Sequence, residues 1–498
     1  MLKVYNTMTR RKEDFHPLEK GVVSIYCCGV TPYNDPHIGN ARPFVTWDVI
    51  RRYFAKKGYK VNYIQNFTDV DDKIIAAAKR EGVLWNEISG RYIDAYFKAM
   101  DALNIRRADY YPRVSEDMQD IIAMVQTLID KGFAYTLENG DVYYDVTKDE
   151  HYGKLSGRKL DDNEAGARIE IDGRKHHPMD FALWKAAKEG EPSWSSPWGE
   201  GRPGWHIECS AMSLKYLGEK FDFHGGGSDL IFPHHENEIA QSQAAIGDEN
   251  SFAQYWLHNG FITIDHEKMS KSAGNFFTVK DILEKYPSEV VRFFLLQTHY
   301  RSPLDFSEER IKEAQSAFNR LLTSKDYLFD LIKKIDSNDM PEKDRTNVAI
   351  TVSKAGGLAE MAERLLSAFY DAMEDDFNTA LAISYMFELS KEINIYYNDV
   401  ISSEVPINDL DAKIIYRVRD VYMEMAGIIG IFEKAVKAVD DNAEFKLIDN
   451  LMEIIIANRQ AAREAKNWKE ADNIRDKLKN IGIILEDTPQ GVRWKRQQ

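Results

Sequence analysis

The sequence predicts an α/β protein: a parallel-sheet domain split by an insertion, then an α-helical bundle and a small mixed α/β carboxyl-terminal domain. Three observations carry this reading. Val22 to Cys28 is a continuous β-type apolar run broken by Gly29 and Pro32, followed by a helical pattern from about Ile38 to Lys57 and a second strand from Lys60 to Phe67. Strand, turn, helix and strand make a βαβ unit, whose crossover forces a parallel, Rossmann-like sheet. A second strand signal, Phe221-Asp-Phe-His-Gly-Gly-Gly-Ser228, returns after a long irregular stretch, and beyond Tyr300 helical patterning runs through about Phe432.

The elements follow in order. Residues 1–109 form the first half of the sheet domain, with helices from about Asp72 after the second strand. Residues 110–204 are the insertion, with a helix from Ser115 to Lys131, a hairpin around Asn139-Gly140 and a Gly/Pro/Trp-rich stretch from Gly190 to Gly204. The second half spans 205–300, with a helix from about Pro233 to Ile246, a strand near Phe261 and a loop at Lys268-Met-Ser-Lys-Ser272. The helical region covers 301–438. A polar linker, Asp440-Asp-Asn-Ala-Glu444, opens the last domain, 439–498, where a helix from Asn467 to Asn480 precedes a short β-type end around Gly482 to Glu486.

Composition narrows the function classes. The chain has 498 residues, 44% hydrophobic and 29% charged, and no apolar run near the roughly 18 residues a membrane span needs. Met1 to Arg10 lacks the apolar core of a secretory signal, so a cytoplasmic protein is expected. Three cysteines, two of them adjacent, make a disulfide framework a poor fit and a metal site a better one. The net charge of −15 argues against a nonspecific nucleic-acid coat. From Asn458 to Gln498, however, ten Lys/Arg stand against six Asp/Glu, a basic tail that offers RNA a landing site.

The chemistry concentrates in short strings. Pro36-His-Ile-Gly-Asn40 sits between a strand and a helix, where unpaired N–H groups attract phosphate and Gly39 allows close approach. Lys268 and Lys271 place two ammonium groups on a loop of small residues, suited to charge growing on a departing pyrophosphate. His234 and Glu238 are four apart in a predicted helix and share a face, whereas His235 has Ile239 at that offset. With Cys209 and one of the Cys27/Cys28 pair they make a set of two thiolates, an imidazole and a carboxylate suited to zinc.

A phosphate turn after the first strand and a Lys-Met-Ser-Lys-Ser loop near the end of the fold resemble the signature pair of class I aminoacyl-tRNA synthetases. The chain resembles the bacterial cysteinyl-tRNA synthetase family over essentially its whole length. The matching strings are Cys28-Gly-Val-Thr-Pro-Tyr33, His37-Ile-Gly-Asn40, Asn66-Phe-Thr-Asp-Val-Asp-Asp-Lys73, Gly204-Trp-His-Ile-Glu-Cys-Ser210, His224-Gly-Gly-Gly-Ser-Asp229, Pro233-His-His-Glu-Asn-Glu238 and Lys268-Met-Ser-Lys-Ser272. The resemblance implies activation of L-cysteine with Mg²⁺-ATP and transfer to tRNA(Cys) by a monomer without membrane contact. It implies one Zn²⁺ on Cys28, Cys209, His234 and Glu238, with Cys27 a bystander.

By the same resemblance Gly29, Thr31, Thr68 and Trp205 line the substrate pocket and Asp229 receives the ammonium. Thr31, His37, Gly39, Asn40, Lys268 and Lys271 bind ATP, and His37, Asn40 and the two lysines serve catalysis. Asn40 departs from the second histidine common among class I synthetases. Zinc answers a selectivity problem, because packing separates cysteine from serine by only about 1–3 kcal/mol, whereas a thiol ionises on the metal and a hydroxyl does not. Catalytic zinc commonly keeps three protein ligands, so with four the substrate sulfur is expected as a fifth. Arg459, Arg463, Trp468 and Asp472, at helical spacings, suit phosphate contact, base stacking and base-edge reading in an anticodon-binding domain. Paralogous ligases that join cysteine to an amino sugar lack such a module.

Overall fold

The strand and helix signals from Val22 to Phe67 fold as β3 (Val22–Val30), α1 (Ile38–Lys56) and β4 (Lys60–Phe67), preceded by a hairpin of β1 (Lys3–Asn6) and β2 (Arg11–Asp14) that the sequence reading did not include. This computed structural model describes all residues except 160–172, 265–266, 269–276, 337–347, 404–406, 408, 434–440, 481, 489–490 and 497–498. The chain divides into one unit of Met1–Tyr396 with Ile407–Glu433 and a second of Tyr397–Pro406 with Lys434–Gln498.

In the first unit, α2 (Asp72–Glu81), α3 (Trp85–Ala102) and α4 (Met118–Asp130) follow β4. Helix α2 starts where the Asp71 carboxylate accepts from Lys73 N and stops at Gly82, whose φ of 72° a side chain would resist. Helix α4 begins three residues later than the sequence pattern, because Ser115 is held by Asp69 through both its N–H and its hydroxyl. The insertion folds as an antiparallel sheet of β5 (Ala134–Thr136), β6 (Val142–Tyr144), β7 (Phe181–Ala186), β8 (Trp194–Ser196) and β9 (Gly199–Pro203), in the order β5-β6-β7-β9-β8. The Gly/Pro/Trp-rich stretch therefore contains two strands, made regular by the pairing of β9 with β7 and of β8 with β9.

The second half supplies α5 (Trp205–Leu217), β10 (Lys220–Gly227), α6 (Glu236–Ile246) and β11 (Phe252–Asn259). Strands β11, β10, β3 and β4, in that order, form one parallel sheet, joining two sequence-distant halves as expected. The Gly-Gly-Gly end of β10 is a packing requirement: a Cβ on Gly225 would lie 2.2 Å from Trp47 Cζ2 of α1. Helix α6 opens at Glu236, later than Pro233: Phe232 before the proline is extended, as a residue preceding proline favours, and Ile231–His235 forms a wider turn.

Beyond the sheet, β12 (Ile262–Ile264) pairs with β13 (Glu267–Lys268) and, in parallel, with β14 (Leu304–Phe306), a strand inside the region read as helical. Helices α7 (Val279–Lys285) and α8 (Ser288–Leu296) precede it, and α9 (Glu308–Asp336), α10 (Val348–Glu374), α11 (Thr379–Ser403) and α12 (Asp409–Ile429) give the expected long helical region. In the second unit, α13 (Asp441–Glu464) and α14 (Trp468–Asn480) lead to a hairpin of β15 (Ile483–Thr488) and β16 (Gly491–Arg496), one strand more than the sequence reading.

Gly29, expected in the substrate pocket, also answers to the sheet. A Cβ there would meet the Asn66 carbonyl oxygen at 1.6 Å, where the β3–β4 register shifts between Cys27 and Val30. Gly29→Ala is therefore expected to cost about 1–3 kcal/mol or more, since backbone rather than a flexible side chain must yield. Chemical denaturation of the variant against the native chain checks this.

Candidate active site and metal centre

Strand alternation decides which adjacent cysteine enters the site. Successive side chains point to opposite faces, and in the β3–β10 register His224 lies across from Tyr26 while Gly225 lies across from Cys27. Tyr26 and His224 share a face, their rings 5.2 Å apart, and Cys28, two residues beyond Tyr26, joins them. Cys27 turns toward Tyr63, and burial pushes its thiol up to about 12.

Cys28, Cys209, His234 and Glu238 meet in a fully buried cluster, their ligand atoms all within 4.8 Å of one another. Their edges fit a tetrahedral ion. Zn–S bonds of about 2.3 Å would set two sulfurs about 3.8 Å apart, and Cys28 Sγ to Cys209 Sγ is 3.7 Å. Glu238 Oε1 is 3.4 Å from Cys28 Sγ and 3.0 Å from His234 Nε2. The thiol of Cys209 is lowered to about 6, first by its hydrogen bond with Cys28. Burial opposes charge on Glu238 and His234. Even so, His224 and His234 pull the carboxyl down to about 2, and Glu238 with Cys209 lifts His234 to about 10. Such a buried, ion-paired donor set suits a thiophilic dication.

Four histidines surround the cluster, and the sequence reading did not assign them. His224 Nε2 is 2.8 Å from Glu238 Oε2, and His206 Nδ1 is 3.0 Å from His234 Nδ1. His235, set aside for lack of an i+4 partner, is turned inward by the wide turn, its Nε2 3.3 Å from Cys28 Sγ. His258 Nε2 meets His235 Nδ1 at 2.7 Å, and Thr7 Oγ1 meets His258 Nδ1 at 2.8 Å. The signal available was the strand register that puts His224 beside Tyr26; the rest needed the fold.

Trp205, at the start of α5, is half-exposed with its ring 4.3 Å from that of His234. Thr68 is buried and donates to Glu208 Oε2 at 2.9 Å, where burial and then Cys209 push the Glu208 carboxyl well above its usual range. Asp229 is exposed, and a Cβ on Gly227 would come within 2.3 Å of its Oδ1, so glycine there lets the carboxylate curl back over the strand end.

At the phosphate turn, His37 caps α1. Its Nδ1 accepts from Asn40 N at 3.3 Å while Asn40 Oδ1 accepts from His37 N at 3.2 Å. An accepting Nδ1 puts the proton of a neutral ring on Nε2. Asn40 thus also serves as a helix cap. The same turn is joined to the segment leaving the lysine loop: Ile38 N donates to Phe277 O, Val279 N to Pro36 O, and His37 bridges Thr278. Thr31 accepts from Tyr33 N through its carbonyl. Lys271 and the side chain of Lys268 lie outside the described residues.

The tail residues separate into two pairs. Arg459 and Arg463 lie on α13, Trp468 and Asp472 on α14, with Lys466 at φ 58° between the helices. Arg459 is buried, so its expected place on an RNA-facing surface does not match its packing. Trp468 is 58% exposed, and Asp472 is exposed and accepts from Arg475 at 3.4 Å.

Comparison with known proteins agrees with this arrangement. Residues 14–316 match the family model for the class I (C) tRNA synthetase catalytic domain, 368–433 the DALR domain, and 452–494 the cysteinyl-tRNA ligase anticodon binding domain. A cysteine–tRNA ligase of Pelotomaculum thermopropionicum is 52% identical over 100% of both chains, and one of Clostridioides difficile 49% identical over 99% of this chain and 100% of its own. Among solved structures, methionyl-tRNA synthetase of Mycobacterium tuberculosis in complex with methionyl-adenylate superposes with a TM-score of 0.60 at 16% identity, covering 82% of this chain and 89% of its own. Thermus thermophilus arginyl-tRNA synthetase gives 0.52 at 14% identity, covering 85% and 84%, so both share the fold. A shared fold, full-length identity near one half and a thiol-rich centre at the end of the parallel sheet converge: the chain is an enzyme of the cysteine–tRNA ligase family, within the class I aminoacyl-tRNA synthetases.

Proposed function

We propose that the chain activates L-cysteine with Mg²⁺-ATP to cysteinyl-adenylate and passes the cysteinyl group to the 3′ end of tRNA(Cys), choosing cysteine over serine through one zinc held by Cys28, Cys209, His234 and Glu238. The observation that carries this reading is the buried thiol–imidazole–carboxylate cluster at the carboxyl end of the strand leading into the His37 turn. Zinc bound there supplies a Lewis acid that prefers sulfur to a hydroxyl oxygen.

The chain's own residues do the remaining work. Trp205 walls the pocket beside His234, Thr68 is fixed by Glu208, and Asp229 stands exposed to take the substrate ammonium. The cap holds His37 with Nε2–H as its donor, aimed at phosphate oxygens in the proposed role, with Thr31, Gly39 and Asn40 lining the nucleotide. As the carboxylate attacks the α-phosphorus in line, Lys268 and Lys271 neutralise the leaving pyrophosphate, and acceleration comes chiefly from positioning and charge. Residues 1–109 and 205–300 form the catalytic domain, 110–204 its connective insertion, 301–438 the helical region and 439–498 the anticodon-binding domain in this reading. Exchange of pyrophosphate into ATP by the purified chain should depend on cysteine and ignore serine. Equal exchange with the two amino acids would overturn the metal-based selection.

Trp468 offers a base-stacking face in the second unit. Stacking is worth about 1–3 kcal/mol per base, so Trp468→Ala should raise the KM for tRNA(Cys) about tenfold or more while pyrophosphate exchange stays unchanged. Loss of both activities together would contradict an RNA-only role.

A further inference from the structure

The proposed reaction uses one half of the buried cluster, and a second donor set shares two of its members. Cys28, His224, His235 and Glu238 also bring their ligand atoms within 4.8 Å of one another, all buried. We propose that these four residues form an alternative metal-binding set for a divalent transition ion, overlapping the first and occupied in its place rather than beside it. The proposal rests on Cys28, Cys209, His234 and Glu238 being the working set.

Thiolate, two imidazoles and a carboxylate make a donor set that zinc and cobalt accept. For His235, support from behind points the same way, since a metal-ligating histidine ordinarily has its other ring nitrogen held by a hydrogen bond. His235 has this brace: its Nδ1 meets His258 Nε2 at 2.7 Å, and Thr7 Oγ1 holds His258 Nδ1 at 2.8 Å. His224 lies 4.5 Å from Trp256 in a stacked arrangement of 15°, with its Nε2 facing Glu238 Oε2 at 2.8 Å and a buried Nδ1 without a hydrogen-bond partner. Both rings aim one nitrogen at the shared acceptors.

Charge is no obstacle to the alternative. A dication with two thiolates and a carboxylate leaves a net −1 in the interior, whereas one thiolate, one carboxylate and two neutral imidazoles leave none, and unbalanced buried charge is costly. Location separates the two functionally. His234 in the first set packs on Trp205 at 4.3 Å, the half-exposed wall of the substrate pocket. His224 in the second packs on Trp256 and Tyr26, both fully buried. An ion on the second set is held in the core without being presented to the amino acid.

Cobalt(II) titration tests this, because thiolate-to-cobalt absorption in the near ultraviolet counts sulfur ligands. The native chain should bind one ion with the intensity of two thiolates. The double variant Cys209→Ser/His234→Ala should still bind one ion, more weakly than the native chain, with about half that intensity and no cysteine-dependent exchange. Adding His224→Phe or His235→Phe to it should abolish binding. No cobalt binding by the folded double variant, or binding that survives loss of both His224 and His235, overturns the proposal. Should the double variant fail to fold, X-ray absorption of zinc-loaded Cys209→Ser decides: two imidazoles with one sulfur support the second set, and one imidazole refutes it. A native chain with the intensity of a single thiolate would instead refute the reading of the working site while supporting the second set.

Discussion

Cys28→Ser is expected to lower cysteine-dependent ATP–pyrophosphate exchange by on the order of 10³-fold or more, about 4 kcal/mol of transition-state stabilisation, and to leave the purified chain without stoichiometric zinc. Cys28 is the sulfur common to both donor sets, its Sγ lying 3.7 Å from Cys209 Sγ, 3.4 Å from Glu238 Oε1 and 3.3 Å from His235 Nε2. No rearrangement among the remaining ligands restores it. Serine is nearly isosteric, so the loss belongs to the donor atom rather than to β3, and melting of the variant should stay close to that of the native chain stripped of metal. Cys27→Ser is the control, because that side chain faces Tyr63 on the opposite side of the strand. It should keep its metal and most of its exchange activity. A Cys28→Ser enzyme that retains both zinc and exchange would remove the basis for sulfur recognition at this site.

Why the chain shows some of this in its sequence and hides the rest follows from the range of each interaction. Helix α1 and strand β4 were legible almost to the residue, because an apolar period, a capping turn and a glycine stop are local. His234 and Glu238 were legible as an i, i+4 pair for the same reason. Strand β11 was not, since Gln254, His258 and Asn259 interrupt its apolar run; Asn259 bonds Thr46, and His258 braces His235. The choice of Cys28 over Cys27 came from family resemblance alone, although strand alternation beside His224 provides the physical reason. Contacts such as His206–His234 and Thr7–His258 join segments that no periodicity relates. Arg459 illustrates the opposite error: helical spacing put it with Arg463, but spacing does not say which face is covered.

Asp48→Ala is expected to destabilise the chain by about 3–5 kcal/mol, the loss typical when one member of a buried ion pair is removed and its partners remain charged. Asp48 Oδ2 accepts from Arg52 Nε and Arg292 Nη2, each at 2.6 Å, and its Oδ1 accepts from Arg106 N at 2.9 Å. Arg292 is fully buried and ties α8 to the carbonyls of Leu103 and Ile429, against a glycine at 430 where a Cβ would meet its Nη2 at 2.3 Å. Burial pulls the Arg292 guanidinium below its usual value and Asp48 opposes this, but arginine stays protonated throughout, so removing the carboxylate strands the Arg292 cation in the interior and leaves Arg52 only its ion pair with Glu433 at 2.6 Å. Burial likewise raises the Asp48 carboxyl, yet Arg292 and Arg52 outweigh it and hold the pKa below the ordinary value. A depressed carboxyl contributes stability that is fully present above its unfolded pKa of about 3.9 and is lost as pH falls through the lower folded value. The native chain should therefore lose this contribution only in strong acid, and the variant should lack it at neutral pH. Chemical denaturation of both proteins at neutral and acid pH measures the difference, and a neutral-pH loss under about 1 kcal/mol would mean that the carbonyls and Glu433 satisfy the arginines without Asp48.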